Sequence, residues 1–179
     1  MTRVLGKVFF GAGLSFLFLL PFFGFLSAEP VPYRDPGGIF SVDVPEGWST
    51  DDSGHMGPGV VMKGPAGEAG VDPVMHLLHE KAGIVTLDVQ WPAYLGRIRY
   101  EREKVKFVKL EDFDEAKPPF SEARYSFVDG GRTYGALSRM FLSGGRFFLI
   151  TATAPEGEFD EFLPLFRSTF NSLLPGEGG

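Results

Sequence analysis

The residues most able to do chemistry lie in the run Val74-Met75-His76-Leu77-Leu78-His79-Glu80. A zinc-protease helix places two histidines four residues apart with a glutamate beside the first, so that both imidazoles face one metal. Here the histidines are three apart and Glu80 follows the second. On a strand, that odd spacing sends the two rings to opposite faces, so both read as ordinary strand histidines. The third histidine, His55, stands in a glycine-rich loop and reads as solvated. Glu111, Asp112, Asp114 and Glu115 could offer oxygen ligands to a hard cation, but the alternating acids, central glycine and distant glutamate of a calcium loop are missing. Gly64-Pro-Ala-Gly67-Glu-Ala-Gly70 lacks the Lys-Ser/Thr that a phosphate loop needs. No serine sits in a Gly-x-Ser-x-Gly elbow. Carboxylate pairs for glycoside hydrolysis are assembled in space, so spacing alone does not decide them. The sequence therefore assigns no catalytic residue, no metal ligand and no cofactor-binding residue, and it calls for no cofactor.

One stretch is locally basic. Arg97, Arg99, Arg102, Lys104, Lys106 and Lys109 face only Glu101 and Glu103 within it. It reads as a charged solvent face, with an anionic partner or lipid headgroups as the sharper alternative.

The elements that must position these residues follow from hydrophobic period. Phe40, Val42 and Val44 alternate with Ser41 and Asp43, the pattern of a half-buried strand that Pro45-Glu46-Gly47 ends. Val60-Val61-Met62 predicts a short strand between glycine-rich loops, and Val74–Leu78 another. Leu87, Trp91, Leu95 and Ile98 then fall on one face of a helix. Thr86 or Asp88 can cap it, and Pro92 fits if it lies in the first turn. Val105 and Phe107 restart the strand period, which the acidic segment 111–115 and Pro118-Pro119 are expected to break. Ala123, Tyr125 and Phe127 share a face of the next strand. Gly130-Gly131 and Gly144-Gly145 predict two tight hairpins, because such turns need positive φ. The run Phe147–Ala154 shows little polar alternation, which suits a strand covered on both faces in the middle of a sheet. Phe159, Phe162 or Leu163, Phe166, Phe170 and Leu173 predict a closing helix, kinked or started by Pro164.

The fold class expected is α+β: an antiparallel sheet of six or seven strands flanked by helices, an α/β/α sandwich in the order β-β-β-α-β-β-β-β-α. Trp48 and the closing helix are expected to seal one compact core.

The chain has 179 residues, no cysteine and a net charge of −6. Without cysteine there are no disulfides, thiolate metal sites or thiol nucleophile. An acidic domain is a poor match to nucleic acid, whose phosphates reward clustered Lys and Arg. Arg3 and Lys7 precede an apolar run from Val8 to Leu26, followed by Ser27 and Ala28, the layout of a secretory signal. Residues 1–28 are read as a signal peptide cut after Ala28, or as an anchor that keeps residues 8–26 in the membrane. Either way the domain faces outward. Residues 29–37 read as a proline-rich linker, 38–174 as the domain and 175–179 as a flexible tail.

The strand Gly38-Ile-Phe40-Ser-Val-Asp-Val44 with its Pro45-Glu-Gly47-Trp48 turn, preceded by Tyr33-Arg-Asp, resembles the opening of the PsbP-like family. The strand Phe147–Pro155, followed by Phe166, Ser168 and Phe170, is similar to that family's last strand and closing helix. The resemblance implies an antiparallel sheet between helices, in a superfamily that includes extrinsic photosystem II subunits, a Ran-binding nuclear import factor and exported bacterial proteins of the DcrB group. It carries no catalytic constellation onto this sequence. The function it implies is an exported, non-catalytic accessory domain that binds another protein or a membrane-associated complex in the periplasm or at the outer face of the cytoplasmic membrane. An exported hydrolase with an unrecognised site, or a small-ligand or metal-binding module, is the alternative.

Overall fold

The computed structural model describes residues 30–55 and 57–176. The leader, residues 1–28, and most of the expected tail, residues 177–179, lie outside the described residues. Ten strands and two helices run in the order β1 (Val31–Arg34), β2 (Phe40–Val44), β3 (Ser49–Asp51), β4 (Gly59–Lys63), β5 (Val74–Lys81), α1 (Leu87–Glu101), β6 (Glu103–Phe113), β7 (Phe120–Asp129), β8 (Arg132–Ser143), β9 (Arg146–Pro155), α2 (Phe159–Ser172) and β10 (Leu174–Pro175). The large sheet has seven strands in the order β3-β4-β5-β9-β8-β7-β6, every pair antiparallel. A second sheet of three strands has the order β1-β2-β10. The architecture is the expected α+β one.

The doubly covered strand is where its composition places it. β9 lies in the middle of the large sheet, between β5 and β8. The hairpin turns β7–β8 and β8–β9 use Gly130, Gly131, Gly144 and Gly145, all at φ between 55° and 78°, where a Cβ would cost roughly 1–2 kcal/mol.

Several elements differ from expectation. Phe40–Val44 belongs to the small sheet, and residues 31–34 of the proline-rich segment form β1 against it, Tyr33 pairing with Val42. Pro32 fits because β1 is an edge strand with no ladder partner on its outer side. Leu174 and Pro175 close the other side of β2 as β10. β6 runs on through Glu111 and Asp112 to Phe113, whose ring stacks on Phe120 at 4.4 Å and extends the pairing past the acids. Pro92 and Pro164 both lie inside their helices, beyond the first turn. Each frees the carbonyl four residues back, and those carbonyls belong to Asp88 and Asp160, both exposed, where water can satisfy them. Thr86 is the N-cap of α1 but caps with its main chain: its carbonyl accepts the Gln90 N–H at 3.0 Å, and its hydroxyl makes no capping bond.

The buried residues form two cores, one on each face of the large sheet, where one was expected. On the α2 face, Phe159, Phe166 and Phe170 meet Phe40, Val42 and Val44 of β2 and Met62, Met75, Leu77, Leu137, Phe148 and Ile150 of the sheet. Trp48 packs edge-on against Phe166 at 6.3 Å. On the α1 face, Trp91, Tyr94 and Ile98 meet Ala123, Tyr125, Phe127, Ala136, Met140 and Phe147. The stripe of α1 thus centres on Trp91, Tyr94 and Ile98, with Leu95 half-buried on its flank.

Candidate functional site

The two helices cover their faces unequally. α2 and the small sheet together close one face across β4, β5, β8 and β9. α1 alone covers the other, and it lies over β6, β7 and β8. The strip beyond it, Val74, His76 and Leu78 of β5 with Leu149, Thr151 and Thr153 of β9, stays only half-buried. Two hollows lie along this strip beside α1. One, of about 340 Å³, runs from Gly57 and Pro58 past Gln90 and Ala93 to Phe147. The other, of about 300 Å³, runs past His76, Thr153 and Ile98 to Phe127 and Arg102. Leu78, Tyr94, Arg97 and Leu149 line both, so the hollows are two ends of one groove.

Its floor is rigid. Register places His76 opposite Thr151 and Thr151 opposite Ser138. The Tyr94 hydroxyl descends from α1 onto this row, 2.9 Å from Ser138 Oγ and 3.0 Å from Thr151 Oγ1. Ser138 and Thr151 are themselves 2.9 Å apart, and Tyr125 Oη lies 3.2 Å from Ser138. Four hydroxyls from a helix and three strands therefore satisfy one another, each bond contributing on the order of 1 kcal/mol. Burial, with Tyr94 alongside, raises the Tyr125 phenol well above its ordinary value. Ser138 is fully buried and its partners are hydroxyls. With no base among them, the geometry is that of a pin, not of an activated nucleophile.

Arg97 stands at the middle of the groove with its guanidinium 5.6 Å from the Tyr94 ring centre. Among the described residues no carboxylate lies within ion-pair distance of it. Two nearby charges are committed, Arg102 pairing with Asp129 at 3.1 Å and Glu80 accepting from Gln90 Nε2 at 2.9 Å, while Glu101 lines the second hollow. Burial lowers the His76 pKa and so favours the neutral form of the ring that faces the groove.

The histidines do not converge. His76 lines the second hollow and faces α1, whereas His79 borders the first hollow but turns its ring to the other core, 5.9 Å from the Phe40 ring and 6.3 Å from Phe148. Burial, then the charge of Arg146, lowers the His79 pKa, and Arg146 Nη1 sits 3.4 Å from its Nδ1. His55 is exposed in its loop. Among the described residues no three His, Asp or Glu side chains gather as a metal site. The acids of β6 are used locally, Glu111 by Lys109 at 2.7 Å and Asp112 by the Ser121 hydroxyl at 2.5 Å. The glycine-rich segment 64–70 wraps the start of α2, where the Ala69 N–H donates to the Glu158 carboxylate. The basic stretch disperses: Arg99 lies over Phe107 at 4.8 Å and Arg102 over Phe127 at 4.9 Å. Lys104, Lys106 and Lys109 line β6, an edge strand with two register shifts, where lysines and bulges discourage strand addition.

Sequence reasoning missed the groove. Tyr94 lies outside the stripe Leu87, Trp91, Leu95 and Ile98 that predicts α1, and Thr151 and Thr153 belong to a run read as covered on both faces. The signal was the alternation Leu149-Thr151-Thr153, which marks where apolar cover on the α1 face stops.

No family model and no curated protein matches the sequence. Solved structures do share its fold. Cyanobacterial PsbP (CyanoP) of Synechocystis superposes with a TM-score of 0.63 at 17% identity, covering 85% of this chain and 95% of its own. LpqN, involved in cell envelope biogenesis of Mycobacterium tuberculosis, gives 0.61 at 14% identity over 83% of this chain and 91% of its own. PA94 of Pseudomonas aeruginosa, of unknown function, gives 0.58 at 14% identity over 83% and 98%.

Proposed function

We propose that this chain, whose fold is PsbP-like, is an extracytoplasmic, non-catalytic accessory domain that works by binding, and that the groove beside α1 is where it binds. The observation that carries the reading is the half-covered strip of β5 and β9: a preformed, largely apolar concavity with a few convergent polar groups is the usual form of a binding site. The outward location rests on the leader in the sequence, and the link of LpqN to the cell envelope supports it. The non-catalytic role rests on the hydroxyl cluster having no base and on the two strand histidines turning their rings to opposite faces of the sheet, with no three His, Asp or Glu side chains gathered among the described residues. Its partner is a membrane-associated complex or another protein at the outer face of the cytoplasmic membrane.

The test is affinity capture of the exported protein from its own cells. Thr153→Arg, which places a charge in the groove, is expected to abolish recovery of the partner, and Glu156→Arg, on the exposed turn just beyond β9, to preserve it. Turnover of any substrate by the purified protein, abolished by one substitution, would overturn the reading.

A further inference from the structure

The groove also constrains what it can hold. Its floor is made of β5 and β9, and each is paired on both sides, β5 with β4 and β9, β9 with β5 and β8. Their main-chain donors and acceptors are spent in the ladders. A peptide laid on Leu78 and Leu149 would bury its own amides without partners, each costing on the order of 1–3 kcal/mol. The walls ask instead for an apolar body: Met140, Phe147 and Leu149 line one hollow, Val74, Ile98 and Phe127 the other. Against these stands Arg97 at the junction of the two hollows, a guanidinium with no carboxylate within ion-pair distance among the described residues. Its planar fork is matched to a carboxylate. Glu80 lines the first hollow and Glu101 the second, so an anion is opposed at either end and its head is seated at the junction, while Leu78, Met140, Phe147 and Leu149 draw the chain into the first hollow.

We propose that the groove binds an aliphatic carboxylate, its head on Arg97 and its alkyl chain against Leu78, Met140, Phe147 and Leu149. This rests on the binding role argued above and narrows what the groove itself receives, from a membrane-associated partner, to an alkyl chain with an acidic head and not a peptide.

The test is calorimetric titration of the purified protein with decanoate, below its micelle-forming concentration, and with decanol as the uncharged chain of equal length. Decanoate is expected to bind about tenfold more tightly than decanol, the worth of one charge-assisted contact. Arg97→Gln is expected to remove that advantage and leave decanol unchanged. Ala93→Trp, an exposed helix position on the wall of the first hollow, is expected to abolish binding of both. Equal affinity for the two probes, an Arg97→Gln variant that still prefers decanoate, or no binding of either overturns the proposal. In the last case, partner capture that remains sensitive to Thr153→Arg shows that the ligand was misassigned and the binding role was not.

Discussion

Glu122 is the sharpest place to perturb the structure. Its side chain is 3% exposed and accepts three bonds, two from Arg139 at 2.9 and 3.2 Å and one from Arg167 at 2.7 Å. Arg139 is itself 7% exposed, lies 4.1 Å from the Phe120 ring centre and donates to Asn171 Oδ1 at 2.9 Å. The cluster ties β7 and β8 to α2. Glu122→Ala leaves the Arg139 charge buried without its counter-ion, and breaking such a pair costs about 3–5 kcal/mol. Because Asn171 and the two rings Phe120 and Phe170 remain around Arg139, the lower end, about 3 kcal/mol, is expected. For a domain of this size that lowers Tm by about 6–12 °C. Arg167, 41% exposed, can turn to water, so Arg167→Ala is expected to cost only about 1 kcal/mol. Replacing both buried partners, Glu122→Leu with Arg139→Met, removes the charge together with its need for a partner and is expected to sit within about 1 kcal/mol of the parent. Urea denaturation followed by circular dichroism measures all three. A Glu122→Ala loss below about 1 kcal/mol, or a double variant as unstable as the single one, would refute the reasoning that an orphaned charge, and not lost packing, sets the cost.

Two other predictions follow from single positions. The folded His76 has a pKa below 6.5 because burial disfavours its charged form, so the unfolded chain binds the proton first: stability is full above about pH 6.5 and falls as the pH drops below it, and His76→Gln is expected to flatten that slope in melts between pH 5 and 7, whereas an unchanged slope would show that His76 does not cause it. A Cβ built on Gly135 comes within 2.7 Å of Phe159 Cβ and closer still to its ring; Gly135→Ala is therefore expected to cost about 1–3 kcal/mol by overpacking, and a neutral melt would mean that α2 shifts freely on β8.

Much of the architecture was legible because it is written in local pattern. Phe40-Val42-Val44, the stripe around Trp91 and Ile98, the paired glycines and the central position of Phe147–Ala154 each follow from period and turn chemistry, which depend on residues near one another in the chain. The opposite orientation of His76 and His79 follows the same way, since strand geometry alone sends residues three apart to opposite faces.

What needed tertiary structure was everything decided by which element lies over which. Nothing near Phe40 in sequence says that its strand joins Val31–Arg34 and Leu174–Pro175 in a separate sheet. Nothing near Tyr94 says that its hydroxyl meets Ser138 and Thr151, 44 and 57 residues away, or that Glu122 waits under Arg167 of the last helix. The groove is a property of the same kind. It exists because α1, anchored by Trp91, Tyr94 and Ile98 over β6 to β8, is too narrow to reach β5, and an uncovered strip is made by the placement of a helix on a sheet. Local sequence fixes each element's period, whereas the long-range packing of those elements decides which surface remains open.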